Sequence, residues 1–323
     1  GGPDIAGGIG IARAGANRLG PLDPLSPLID VRRFSHEAMA TVFEVYAVHP
    51  DEQYAAQAAQ AAFELVDRLE RELSRFRSNS DIARVNHLAA GESVRVGPSA
   101  IECLLIGRHL YDLTGGAFDI AIGTGLTSLE LDADDCSVHA TKDGVRLDLG
   151  GIGKGYAVDL VAELLEEWGI ARALVHGGFS SVLALEGRAD GDGWPLTLSD
   201  PAAPSRVLAR LSVRQTALGA SGVRKGDHIV DPRTGEPVRG RLGAWVALPR
   251  PERTSGPAAG EEGLRIAPCA VTDALTTAFM LLESDEIAAL CERSPGLEAW
   301  VLPESAGDQS DESALLHFGR PEE

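Results

Sequence analysis

The stretch LDLGGIGKGYAVDLVAELLEEWG, residues 147–169, decides the fold class. It reads as a strand ending at Leu149, a turn over Gly150, Gly151 and Gly153, and a helix that carries Lys154 near its first turn and stops at Gly169. A glycine-rich turn between strand and helix presents backbone N–H groups and the positive end of a helix dipole, which suits phosphate oxygens. Two common versions of this device are excluded by the order of residues. No Gly-Lys-Ser/Thr follows at P-loop spacing, and GGIGKG has neither the GxGxxG order nor the βαβ surroundings of a dinucleotide-binding fold. The turn is therefore either a phosphate site of another kind or a tight helix start, in a chain that is α+β and not a doubly wound Rossmann fold.

Outward from this stretch the same architecture continues. TVFEVYAV, Thr41 to Val48, is a strand by its β-branched and aromatic content. Glu52 to about Phe76 places Ala, Leu and Val at helical spacing with charges opposite, and Ser99 to about Leu113 forms a second helix behind Pro98. Short strands such as RALVH, SVLALEG, RVLARLSV and EAWVL follow without regular βα alternation. Residues 1–34, rich in Gly, Ala and Pro with Pro21, Pro24 and Pro27 close together, read as an extended N-terminal arm. One domain then spans 35–323, with a surface insertion at about 251–266 that begins in a Pro-, Gly-, Ala- and Glu-rich run.

Composition narrows the partners. Lys and Arg number 29 against 48 Asp and Glu, a net charge of −19, which argues against nucleic acid or an anionic membrane surface. A polyanionic ligand must then be held by a local device, a metal or backbone amides. Cys103, Cys136, Cys269 and Cys291 stand singly, so neither a zinc site nor a disulfide framework is expected. No run reaches the roughly 18 apolar residues of a membrane span.

Three further motifs carry possible chemistry. TGGAFDIAIG, residues 114–123, sets Phe118 beside Asp119, which suits a planar hydrogen-bonding ligand or else marks a helix C-cap followed by a strand. HIVDPRTGEP, residues 228–237, is a turn after a short apolar strand and offers His228 as a general base. TDALTTAF, residues 272–279, puts Asp273 and Thr277 on one helix face near its start, either as hard oxygen donors for Mg²⁺ or as charge on the helix dipole.

These four motifs, in this order and together with HEAMATVFEV and LSRFRSNSDIARVN, resemble the FAD:protein FMN transferase (ApbE) family from about Ser35 to Leu302. The resemblance implies mixed sheets with packed helices. It implies that Met39 and Phe76 line the flavin nucleotide pocket with Ala117, Phe118 and Asp119. Asp148, Lys154 and Val230 would contact FAD, Val230 from the turn that carries the catalytic base His228, and the Gly151 carbonyl, Asp273 and Thr277 would hold Mg²⁺ or another divalent cation. The implied reaction moves FMN from FAD to a threonine hydroxyl in the Ser/Thr flavinylation motif of an acceptor flavoprotein, releasing AMP. The same site with water as acceptor would be an FAD pyrophosphatase, and without turnover a flavin-binding protein. The resemblance also suggests a bacterial periplasmic or membrane-associated chain if a leader has been removed, and a cytoplasmic one otherwise. Three departures stand out. Gly177-Gly178-Phe179 replaces the family's GGD, so a polar contact is missing or supplied by Ser180 or Ser181. The stretch from Ser221 to His228 is short, and the insertion precedes the metal-binding helix.

Overall fold

The centre of the fold is an eight-stranded sheet in which every neighbouring pair is antiparallel. The computed structural model describes residues 9–11, 31–187, 193–223, 229–251, 267–304 and 315–319. In chain order its strands are β1 (Ile9–Ile11), β2 (Val31–Ala38), β3 (Thr41–Val48), β4 (Ser93–Arg95), β5 (Leu129–Asp132), β6 (Ser137–Ala140) and β7 (Ala173–Gly177). They continue with β8 (Ser181–Ala184), β9 (Trp194–Ser199), β10 (Val207–Val213), β11 (Thr216–Gly222), β12 (Arg241–Pro249), β13 (Glu298–Pro303) and β14 (Leu316–Phe318). The helices are α1 (Glu52–Leu73), α2 (Asp81–Val85), α3 (Pro98–Leu113), α4 (Gly153–Glu167), α5 (Pro268–Phe279) and α6 (Ser284–Arg293). The large sheet runs β14-β13-β12-β11-β8-β7-β3-β2, flanked by two three-stranded sheets, β1-β9-β10 and β4-β6-β5. This is an α+β arrangement of mixed helices and sheets and not a doubly wound fold.

Alternation along each strand divides two cores. In β3, Phe43, Val45 and Ala47 face the helices, where they join Leu69 of α1, Val158 of α4 and Leu275 of α5. On the other side of the sheet, Leu174, Val182 and Trp245 meet Ile9, Leu196 and Leu198 of the β1-β9-β10 sheet. Helix α1 starts at Asp51, whose carboxylate accepts the Tyr54 N–H at 3.0 Å. Helix α5 starts differently. Its Cys269 and Ala270 N–H groups are taken by the two oxygens of Asp159 on α4, at 3.0 and 2.9 Å. The two helices lie so close that a Cβ at Gly155 would run into the Cys269 carbonyl.

Several readings of the sequence are revised. Residues 145–149 are extended without strand pairing, because the Asn86 carboxamide takes both backbone groups of Leu147, at 2.6 and 3.0 Å, where a neighbouring strand would. TGGAFDIAIG is a succession of turns with no strand after the helix. Ile9–Ile11 and Val31–Phe34, both read within the arm, belong to β1 and β2. Apart from Pro251, the insertion lies outside the described residues.

Candidate active site

The glycine turn before α4, the turns after α3, the face of α5 and the β7–β8 turn converge on a cleft of about 660 Å³. The glycine turn is fixed from within. The Gly150 N–H donates to Asp148 Oδ1 at 2.8 Å, the Asp148 N–H donates to the Ile120 carbonyl at 2.7 Å, and Arg75 Nε meets Asp148 Oδ2 at 3.2 Å. Lys154 crosses the turn: its ammonium lies 3.1 Å from the Gly150 carbonyl and 3.1 Å from Asp273 Oδ2. The Gly155 N–H also donates to Asp273 Oδ2, at 3.2 Å. One lysine and one carboxylate thus tie the start of α4 to α5.

Asp273 departs from its expected setting. Proline at the first helical position and the Asp159 cap start α5 at Pro268, so Asp273 occupies the second turn and is only 4% exposed. Thr277 lies one turn further, its hydroxyl 3.5 Å from Ser221 Oγ, which also meets Thr276 Oγ1 at 2.9 Å. Gly151 completes this corner: a Cβ there would stand 3.0 Å from the Phe118 ring and 3.9 Å from Thr277 Oγ1.

The turns after α3 use their carboxylate internally. Asp119 accepts the N–H groups of Ala121 and Gly123, both at 2.8 Å, and this holds Ile122 at φ 49°, a left-handed conformation rare for a β-branched residue. Ala117 and Phe118 are buried, so the Phe118 ring supports Gly151 from the core more than it offers an open face. Val230, 36% exposed, bridges to Pro237 at the cleft mouth. His228 lies outside the described residues.

Met39 and Phe76 do not line this cleft. They lie in an adjoining recess of about 210 Å³ that shares Asp148, Gly150 and Lys154 with it. Met39 and Ala40 form the two-residue β2–β3 turn, at φ 51° and 56°, values more often adopted by Asn-Gly. Phe76 is 83% exposed, with the Arg75 guanidinium 4.6 Å above its ring. The structure also brings in Arg75, Thr41 and Ile122, motif residues to which no role was given, and it sets on the cleft two places noted as departures, Ser221 and the Gly178–Ser180 wall. For the last, Gly177-Gly178 after an apolar strand was the available signal. For Ser221 the signal was the short Ser221–His228 stretch, and its contact with Thr276 and Thr277 follows only from packing against α5.

With this geometry in place, the similarities of the chain are specific. The model of the ApbE family matches residues 39–130 and 123–255. An FAD:protein FMN transferase of Klebsiella pneumoniae is 24% identical over 260 residues, covering 68% of this chain and 74% of that one. One of Treponema pallidum is 26% identical over 312 residues, covering 80% and 81%. Among solved structures, the flavin transferase ApbE of Vibrio cholerae superposes with a TM-score of 0.72 at 18% identity, over 89% of this chain and 96% of that one. The apo flavinyl transferase ApbE of Pseudomonas stutzeri gives 0.72 at 21% identity, over 90% and 98%.

Proposed function

Because the chain belongs to the ApbE family, we propose that it is an FAD:protein FMN transferase, moving FMN from FAD to a hydroxyl of an acceptor flavoprotein with release of AMP. The observation that carries this reading is the corner where the Gly150–Lys154 turn, Asp273 and Thr277 meet in a cleft of about 660 Å³. Lys154 and the Gly151 N–H would bind pyrophosphate oxygens in a protein whose net charge of −19 otherwise repels them.

The same corner fits a divalent cation. Its donors are hard oxygens, the Asp273 carboxylate, the Thr277 hydroxyl and the Gly151 carbonyl. Both hydrogen bonds to Asp273 fall on Oδ2, leaving Oδ1 without a partner among the described residues. No cluster of three acidic, histidine or cysteine side chains occurs among the described residues. A cation there would thus rely on the substrate phosphates for further ligands. When bound, it would neutralise charge on the pyrophosphate. Asp119 and Asp148, each locked in hydrogen bonds to its own turn, hold the backbone around the nucleotide, while Met39 and Phe76 offer the adjoining recess. His228, whose described neighbours Ile229 and Val230 line the cleft, would take the proton of the attacking hydroxyl. The acceptor hydroxyl is proposed as a threonine.

The test is incubation of the protein with FAD, Mg²⁺ and a flavoprotein fragment, followed by flavin fluorescence on a denaturing gel. Covalent fluorescence on the fragment is expected. AMP release without it would make the protein a pyrophosphatase, and neither product would leave a flavin-binding protein. Among the described residues no helix is long and apolar enough to cross a membrane.

A further inference from the structure

The turn Gly178–Phe179–Ser180 between β7 and β8 forms one wall of the cleft, and it is held from behind by residues that take no part in phosphate binding. Phe179 lies at φ 59°, unfavourable for a residue with a Cβ, and persists only where its surroundings impose it. Gly178, at φ 64°, has no room for a Cβ because Thr41 Oγ1 stands in its place. The Phe179 ring stacks on His176, centroids 4.9 Å apart at 30°. Its carbonyl accepts the Ile9 N–H of β1 at 2.8 Å, and the Ser180 carbonyl accepts the Ala220 N–H at 2.8 Å.

The histidine is itself fixed. His176 Nε2 lies 2.7 Å from Glu44 Oε2, and the two side chains are 1% and 3% exposed. The same carboxylate accepts the Tyr46 hydroxyl at 2.8 Å and the Arg33 guanidinium. A carboxylate acceptor puts the ring proton on Nε2, while Nδ1 is buried without a partner among the described residues. A polar pair set into an apolar layer, with one nitrogen left unpaired, requires an explanation. Here the single bond to Glu44 dictates how the imidazole faces Phe179.

We propose that the Glu44–His176 pair and the N-terminal strand β1 act together as a positioning element for the cleft wall, so that flavin dinucleotide affinity depends on a strand remote in sequence from every phosphate-binding residue. The dependence on affinity rests on the functional reading above. Ile9 is 1% exposed, so β1 is docked by packing as well as by its hydrogen bond. Two substitutions separate these contributions: Ile9→Ala keeps the N–H and removes most of the side chain, whereas Ile9→Pro removes the N–H as well. The readouts are thermal unfolding, FAD affinity by flavin fluorescence, and amide hydrogen exchange of the segment 177–181. Similar melting temperatures are expected for the two variants. Only Ile9→Pro should speed exchange in the turn and weaken FAD binding, by roughly three- to tenfold, the range for one lost hydrogen bond. Glu44→Gln, acting through His176 from the other side, should speed exchange in the same segment, and it carries the test if Ile9→Pro does not fold. Equal exchange and equal affinity in Ile9→Pro and Ile9→Ala, or unchanged exchange in Glu44→Gln, would overturn the proposal. A wild-type protein that fails to bind FAD overturns the functional reading instead, while proline-specific exchange would still support the positioning element.

Discussion

Asp273 carries one carboxylate into the cleft proposed for the FAD pyrophosphate, with Lys154 already against it. Its removal is expected to abolish FAD turnover, as a chelator should. The spacing of Asp273 and Thr277 was legible in the sequence, but the burial was not, because Pro268 and Asp159 set the helix start upstream. An exposed carboxylate near a helix start contributes about 0.3 to 1 kcal/mol. A buried one bonded to an ammonium and an amide should cost more, about 1 to 3 kcal/mol, when replaced by Ala, since the buried Gly155 N–H loses its acceptor and Lys154 keeps only the Gly150 carbonyl. Denaturant unfolding of Asp273→Ala checks this, and full turnover in that variant would sink the metal assignment. His228→Ala should leave FAD affinity nearly unchanged and slow single turnover by about 10²- to 10⁴-fold. Partial rescue at high pH is expected, where hydroxide replaces the base. Affinity and rate falling together without rescue would instead mark a structural histidine.

Helices α4 and α5 present the site as one unit because Asp159 caps α5 and Gly155 lets the two approach. Asp159→Ala leaves two buried N–H groups unpaired and should destabilise the protein by about 1 to 3 kcal/mol. FAD binding should weaken in parallel as the first turns of α5 loosen. Fluorescence titration beside thermal unfolding would show this, and affinity untouched by a large drop in stability would separate the cap from the site. At this scale legibility followed side-chain pattern. Strand β3 and helices α1 and α3 carry clear periodicity and emerged within three residues of their expected ends. Strand β11, TALGASG, gave no signal, and packing explains why: a Cβ at Gly219 would strike the Thr272 carbonyl of α5, so this central strand carries small residues where a strand pattern asks for large ones. The stretch 145–149 failed in the opposite sense, strand-like in composition but paired by the side chain of Asn86.

Among the described residues two layers lie on opposite faces of one sheet, and of the second only β10 was read as a strand, because β1 and β9 find each other across 187 positions. Glu44 lies between the main sheet and this layer. Burial alone would raise its pKa, but the bonds from His176, Arg33 and Tyr46 outweigh it and hold the group at about 2, against an ordinary 4.5. A depressed folded-state value stabilises the protein above the ordinary range, and that contribution is lost as pH falls from about 4.5 through about 2. Glu44→Gln should therefore flatten the acid side of the stability profile, by on the order of 3 kcal/mol at most. Melting curves across that window decide it, and an unchanged slope would assign the acid sensitivity elsewhere. The Lys154–Asp273 contact has a different consequence. It spans 119 positions, so a state in which α4 and α5 have not met lacks the proposed phosphate-binding corner. A ligand that binds only the finished chain stabilises it by mass action, about 2.7 kcal/mol at a hundred times its dissociation constant. Pulse proteolysis at rising FAD concentration should show the protection directly, and cleavage independent of FAD would contradict it. In a living cell, vitamin supply would then govern how long each copy escapes degradation as well as how fast it works.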